Sequence, residues 1–259
     1  MKTPPNHDRV ALVTGAANRL GAAMAQALAA QGWAVVIHHR GSEDDATTLL
    51  EGIKARGGVA ALLKADLAVR RQRASVIAKT AAKFGPLTLL VNNASSFEPD
   101  SIADLDEDLW DRHLAIHLEA PAFLARDFAA QLPANVQGNI VNIIDERILH
   151  LTPNYFSYTL SKASLWTMTQ TMAQSLAPRI RVNAIGPGPT LQEKGQSKAA
   201  FDKSQSVSPL GYGANAGDVC DALLYLLGAR AVTGQMIAVD GGKHLDFPAS
   251  RGPSPRKHK

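Results

Sequence analysis

Seven short apolar runs punctuate the chain: "RVALVTG", "WAVVIHH", "VAALLKAD", "LTLLVNNA", "NIVNII", "IRVNAIGPG" and "QMIAVDGG". Their valines, isoleucines, leucines and alanines follow one another almost without alternation, the pattern of strands buried on both faces. Between the runs, apolar positions recur at helical spacing over 19–31, 43–57, 69–84, 106–131, 155–177 and 216–228.

Strands that alternate with helices predict a parallel sheet covered on both sides. With right-handed crossovers this is an α/β fold of the doubly wound, Rossmann type, with about seven parallel strands in one domain. The expected domain is 9–246, between a flexible N-terminus at 1–8 and a disordered basic tail at 247–259. Such sheets bind ligands outside the carboxyl ends of their strands, so the residues just after each run carry the chemistry.

Composition changes this picture little. The net charge of +4 comes from Arg251, Arg256, Lys257 and Lys259, and residues 1–250 are formally neutral. A nucleic-acid partner is therefore not expected. The N-terminal "MKTPPNHDR" has no apolar core of a signal peptide, and no run is long enough to span a bilayer. The lone Cys220, on an apolar helix face, rules out an internal disulfide framework. These features suit a cytoplasmic protein with no membrane partner, and no metal-ligand cluster stands out.

In "VALVTGAANRLGAAMAQAL", Gly15 and Gly21 bracket a turn between strand and helix. Glycines let backbone amides approach a pyrophosphate, and the helix N-terminus adds partial positive charge. Arg19 and Leu20 complete the turn. The second strand ends in His38, His39, Arg40 and Ser42 rather than in the carboxylate that usually holds a ribose 2′-hydroxyl. An arginine fork suits a 2′-phosphate, so NADPH is the expected cofactor, with Arg19 pointing to the same place. Asp66 and Leu67 end the third strand, where a carboxylate beside a backbone amide fits an adenine edge. Asn93, Ala94 and Ser95 follow the fourth.

Tyr158 and Lys162 stand four apart on a predicted helix and share a face. A phenol titrates at about 10, too high for proton traffic near neutrality. An ammonium beside it is expected to draw that value down, readying the tyrosine to protonate a carbonyl or imine as a hydride arrives. The lysine can also hold ribose hydroxyls.

Together, Thr14-Gly15-x-x-x-Arg19-x-Gly21, Asn92-Asn93-Ala94-Ser95, Tyr158-x-x-x-Lys162 and "GPGPT" at 186–190 resemble the short-chain dehydrogenases/reductases over about residues 8 to 245. The resemblance implies cofactor contacts at Pro187, Gly188 and Thr190. It further implies a homo-oligomer, tetramer or dimer, built on the long helices around 110–130 and 155–177.

Most members carry a serine thirteen residues before the tyrosine, whereas this chain has Asp145. In that aspartate, in "TGAANRLG" and in "NNASSF" it resembles the pteridine reductases and dihydromonapterin reductases. That resemblance implies that Phe97 stacks on a flat pterin ring, with Ser95 and Tyr155 at the substrate. It also implies that Asp145 and Tyr158 share proton delivery. Asp145 read alone also fits a strand-end carboxylate bonded to the amides after it. Where the superfamily expects an asparagine that holds a relay water, this chain has His117, which is not counted among the catalytic residues.

The expected activity is NADPH-dependent reduction of a dihydropterin. A 3-oxoacyl-[acyl-carrier-protein] reductase and a non-catalytic NADP-binding regulator are the alternatives. The polar segment after "GPGPT", without a clear strand, is expected to form a mobile lid over the substrate.

Overall fold

The computed structural model describes residues 7–192 and 195–245. Most of the expected N-terminal extension and the whole basic tail lie outside these described residues.

All seven apolar runs form strands: β1 (Val10–Val13), β2 (Ala34–His39), β3 (Val59–Lys64), β4 (Leu89–Asn92), β5 (Gly138–Ile143), β6 (Ile180–Pro187) and β7 (Met236–Val239). They build one sheet in the order β3-β2-β1-β4-β5-β6-β7. Every pairing is parallel. The order reverses between β1 and β4, and there the carboxyl ends open a crevice.

Helices cover both faces, which is why β1 is apolar and buried at every position. Against one face pack α1 (Arg19–Ala30), α2 (Glu43–Ala55) and α9 (Ala216–Gly228), around Met24, Leu28, Ile53 and Leu223. Against the other pack α4 (Val76–Phe84), α6 (Ala120–Gln131) and α7 (Phe156–Leu176), around Ile77, Leu124, Phe128 and Ala173. The short α3 (Arg70–Arg73) leads into α4.

The single helix expected over 106–131 is α5 (Glu107–Leu114), a π turn (Ala115–Glu119) and α6. Pro121 explains the break. It has no N–H to donate to the carbonyl four residues back, and its ring crowds that carbonyl. The ladder widens instead, and Ala120 N–H bonds to Ala115 O. The wider turn carries His117, which is fully buried.

The segment after residue 190, expected as a mobile lid without a clear strand, holds a helix, α8 (Lys198–Ser206). Ser197 caps it by accepting from Ala200 N–H, and Gln205 Nε2 ties it to Pro189 O and Ala214 O.

Candidate active site

Two adjoining clefts, each of about 470 Å³, run along the carboxyl edge of the sheet and share Gly15, Asn18 and Ser95. One is lined by Arg40, Ser42, Asp66, Leu67 and Ala94. The other is lined by Leu20, Gly21, Asn93, Phe97, Asp145, Tyr158, Lys162, Pro187, Gly188 and Thr190. The sequence-predicted residues thus converge on one trough, with Tyr155 against Phe97 at its side.

The turn between the clefts is built for close approach. Gly15 has φ +60, and a Cβ there would lie 2.8 Å from Ala94 Cα. Asn93 Nδ2 holds the turn from below through Thr14 O at 2.8 Å and Gly15 O at 3.0 Å. At the N-terminus of α1, the Asn18 side chain bonds Asp45 and caps nothing, so first-turn amides face the trough. This donor set fits the diphosphate of NADPH. Arg40, exposed at the far end of the first cleft beside Ser42, fits a 2′-phosphate.

Two residues expected at the cofactor line the clefts while bonding protein groups. His38 lines the cleft, but its Nδ1 accepts from Gly15 N–H and its Nε2 bonds Ala65 O, so it braces the turn. Burial lowers its pKa to about 4, which keeps the ring neutral. Arg19 points away from Arg40. Its guanidinium donates to Gln192 O at 2.8 Å and Leu191 O at 3.2 Å on the opposite rim.

At the other end, Tyr158 Oη donates to Asp145 Oδ2 at 2.8 Å. Asp145 Oδ1 accepts from Arg147 N–H at 2.9 Å, so the aspartate also caps a 3₁₀ turn (Glu146–Ile148). One carboxylate thus meets both the tyrosine and the amide that follows it. Lys162 is buried and its Nζ donates to Ile143 O at 2.8 Å, lying 5.6 Å from the Tyr158 ring centre. Burial lowers the lysine to about 8.

The expected direction of the tyrosine shift is overturned. Burial, then the Asp145 charge and hydrogen bond, hold Tyr158 well above the ordinary phenol value. The opposing Arg147 charge and Ser95 hydrogen bond are smaller than burial and Asp145, and Tyr158 sits protonated.

His117 Nδ1 lies 2.8 Å from Ser161 Oγ, whose own proton goes to Tyr158 O at 2.7 Å. Ser161 must therefore accept, which places the ring proton on Nδ1. Nε2 then accepts from Ser96 N–H at 3.2 Å and from Ser95 Oγ at 2.9 Å. Burial holds the ring neutral, well below the usual histidine range. This chain of bonds ends at a main-chain carbonyl and fixes the positions of Ser95, His117 and Ser161.

Sequence reasoning missed Asp100. Its carboxylate accepts from Ser157 N–H and Ser157 Oγ, and so ties the loop carrying Phe97 to the first turn of α7. Only its place three residues after Phe97 hinted at this. Phe97 and Tyr155 stack directly, with ring centres 4.4 Å apart and planes 10° apart. Among the described residues no group of three or more metal-ligating side chains gathers, and no helix is long and apolar enough to cross a membrane.

The comparisons agree with this geometry. A family model described as enoyl-(acyl carrier protein) reductase matches residues 15–244. A short-chain type dehydrogenase/reductase of Picea abies is 30% identical, over 91% of this chain and 92% of its own. The 3-oxoacyl-[acyl-carrier-protein] reductase of Staphylococcus epidermidis is 28% identical, over 92% of this chain and 100% of its own. Among solved structures, FolM alternative dihydrofolate reductase 1 of Brucella canis, complexed with NADP, is 42% identical. It superposes with a TM-score of 0.89, covering 96% of this chain and 97% of that one. The chain belongs to the short-chain dehydrogenase/reductase family and is an NADPH-dependent oxidoreductase.

Proposed function

We propose that the protein reduces a dihydropterin with NADPH. The observation that carries this reading is the hydrogen bond of Tyr158 to Asp145, set beside the aromatic pair of Phe97 and Tyr155. A flat heterocycle lies well on Phe97. Ser95, its hydroxyl proton directed to His117, presents oxygen lone pairs to ring N–H groups. NADPH supplies the hydride when bound in the trough. Tyr158 then gives its proton to the ring nitrogen beside the reduced carbon, and Asp145, open to the cleft, returns a proton from solvent. Lys162 holds the ribose hydroxyls. The likeness to the Brucella reductase supports this reading.

The Staphylococcus relative favours a second reading, reduction of a β-ketoacyl thioester. A purely NADP-binding regulator would have no use for a buried tyrosine and lysine. NADPH consumption on a panel of dihydropterins and ketoacyl esters separates the readings: turnover of ketoacyl esters alone overturns the first, and NADPH binding without any turnover supports the regulator. We further propose a homo-oligomer on α6 and α7, which expose Phe123 and Leu160. Light scattering that finds a monomer overturns it.

A further inference from the structure

Arg147 has no role in the reaction derived above, and its surroundings are unusual. It lines the cleft beside Asp145, yet among the described residues no carboxylate or carbonyl reaches its guanidinium. Among the described residues, the other charged groups lining this cleft are engaged. Lys243 pairs with Glu146 at 2.8 Å. Arg19 is held by the carbonyls on the opposite rim. Asp145 serves Tyr158 and the Arg147 main chain. Lys162 donates to Ile143 O.

The guanidinium carbon lies 4.6 Å from the Tyr155 ring centre and 5.5 Å from that of Phe97, and those centres are 4.4 Å apart. Three such lengths close a triangle, so the guanidinium lies against both rings. An arm directed toward Tyr155 from a ring laid against Phe97 comes within its reach. Its forked donors match a carboxylate or a phosphate in two parallel hydrogen bonds.

We propose that Arg147 is the anion-recognising residue of the substrate pocket, and that the preferred substrate carries a carboxylate or phosphate on the arm leading away from the reduced ring. The ring in question rests on the dihydropterin reading.

The test compares kcat/KM for matched substrates, with NADPH, in wild type, Arg147→Met and Arg147→Lys. Dihydrofolate and a dihydropterin phosphate are set against 6-methyl-dihydropterin. Acetoacetyl-coenzyme A is set against ethyl acetoacetate as a series independent of the pterin reading. In whichever series turns over, the wild type favours the charged member. Arg147→Met lowers the charged-to-neutral ratio by about 10–100-fold, mostly through KM. Arg147→Lys keeps part of it, and the preference weakens with salt. Comparing carboxylate with phosphate tells which anion is read. The ratio is internal to each variant, so partial unfolding cancels. An unchanged ratio overturns the proposal. Turnover of the keto series alone removes the pterin reading while still deciding Arg147, and absence of turnover in every series removes both.

Discussion

Replacing Lys162 with methionine separates the charge of that residue from its shape. The fold holds the ammonium at about 8, against 10.5 for a free lysine, because burial strips its water. Its folded pKa is below the unfolded one, so between these values the unfolded chain binds more protons and stability rises with pH. Near neutrality the buried charge costs about 3 kcal/mol relative to a neutral side chain, at roughly 1.4 kcal/mol per pKa unit. Near pH 9 that cost falls to about 2 kcal/mol, since most folded molecules have then released the proton. Methionine loses the hydrogen bond to Ile143 O, a change of about 1 kcal/mol that does not vary with pH.

Lys162→Met is therefore as stable as wild type or more so at pH 7, and wild type gains about 1 kcal/mol on it by pH 9, or about 2–4 °C in Tm. Thermal melts of both proteins without cofactor, at equal concentration and several pH values, read the difference directly. Turnover in the variant falls about 100-fold or more. A Tm difference that stays flat, or that moves against wild type as pH rises, refutes the buried ammonium.

Asp145→Asn removes the anion that raises Tyr158, so tyrosinate absorbance in a pH titration appears at lower pH than in wild type. An unmoved titration counts against that coupling. His117→Asn is too short to span Ser95 and Ser161, and costs about 1–3 kcal/mol in urea unfolding. It leaves the acid limb of the pH–rate profile in place, because burial keeps the ring from taking up a second proton there. Arg40→Ala lowers the preference for NADPH over NADH by about 10–100-fold in kcat/KM, and an unchanged preference sends the 2′-phosphate elsewhere. If the segment around α8 closes over substrate, limited proteolysis there slows when NADPH and substrate bind, and equal rates remove the lid.

The sheet was legible because its strands are buried on both faces, so each apolar run marks itself. The helix at Lys198–Ser206 was not, because none of its residues is buried and no apolar stripe forms. It is held by its ends, and end contacts leave no period. The π turn left one mark, Pro121, which ordinary periodicity passes over.

At the site, position was readable and mutual influence was not. Glycines and strand ends sit at fixed offsets from the sheet, so the residues expected to converge did converge. His38 shows the limit: histidine beside a cleft is the same letter whether it faces a ligand or, as here, spends both nitrogens on Gly15 and Ala65. Tyr158 shows it more sharply. Helical spacing puts Lys162 on its face, but spacing says nothing of the carboxylate that β5 brings back from thirteen residues upstream. That oxygen is 2.8 Å from the hydroxyl, while the ammonium is 5.6 Å from the ring centre and has its own charge weakened by burial. Burial raises the phenol first, and the Asp145 charge adds to it in the same direction. A tyrosine held protonated in this way begins the cycle with its proton in hand, the state that reduction rather than oxidation requires.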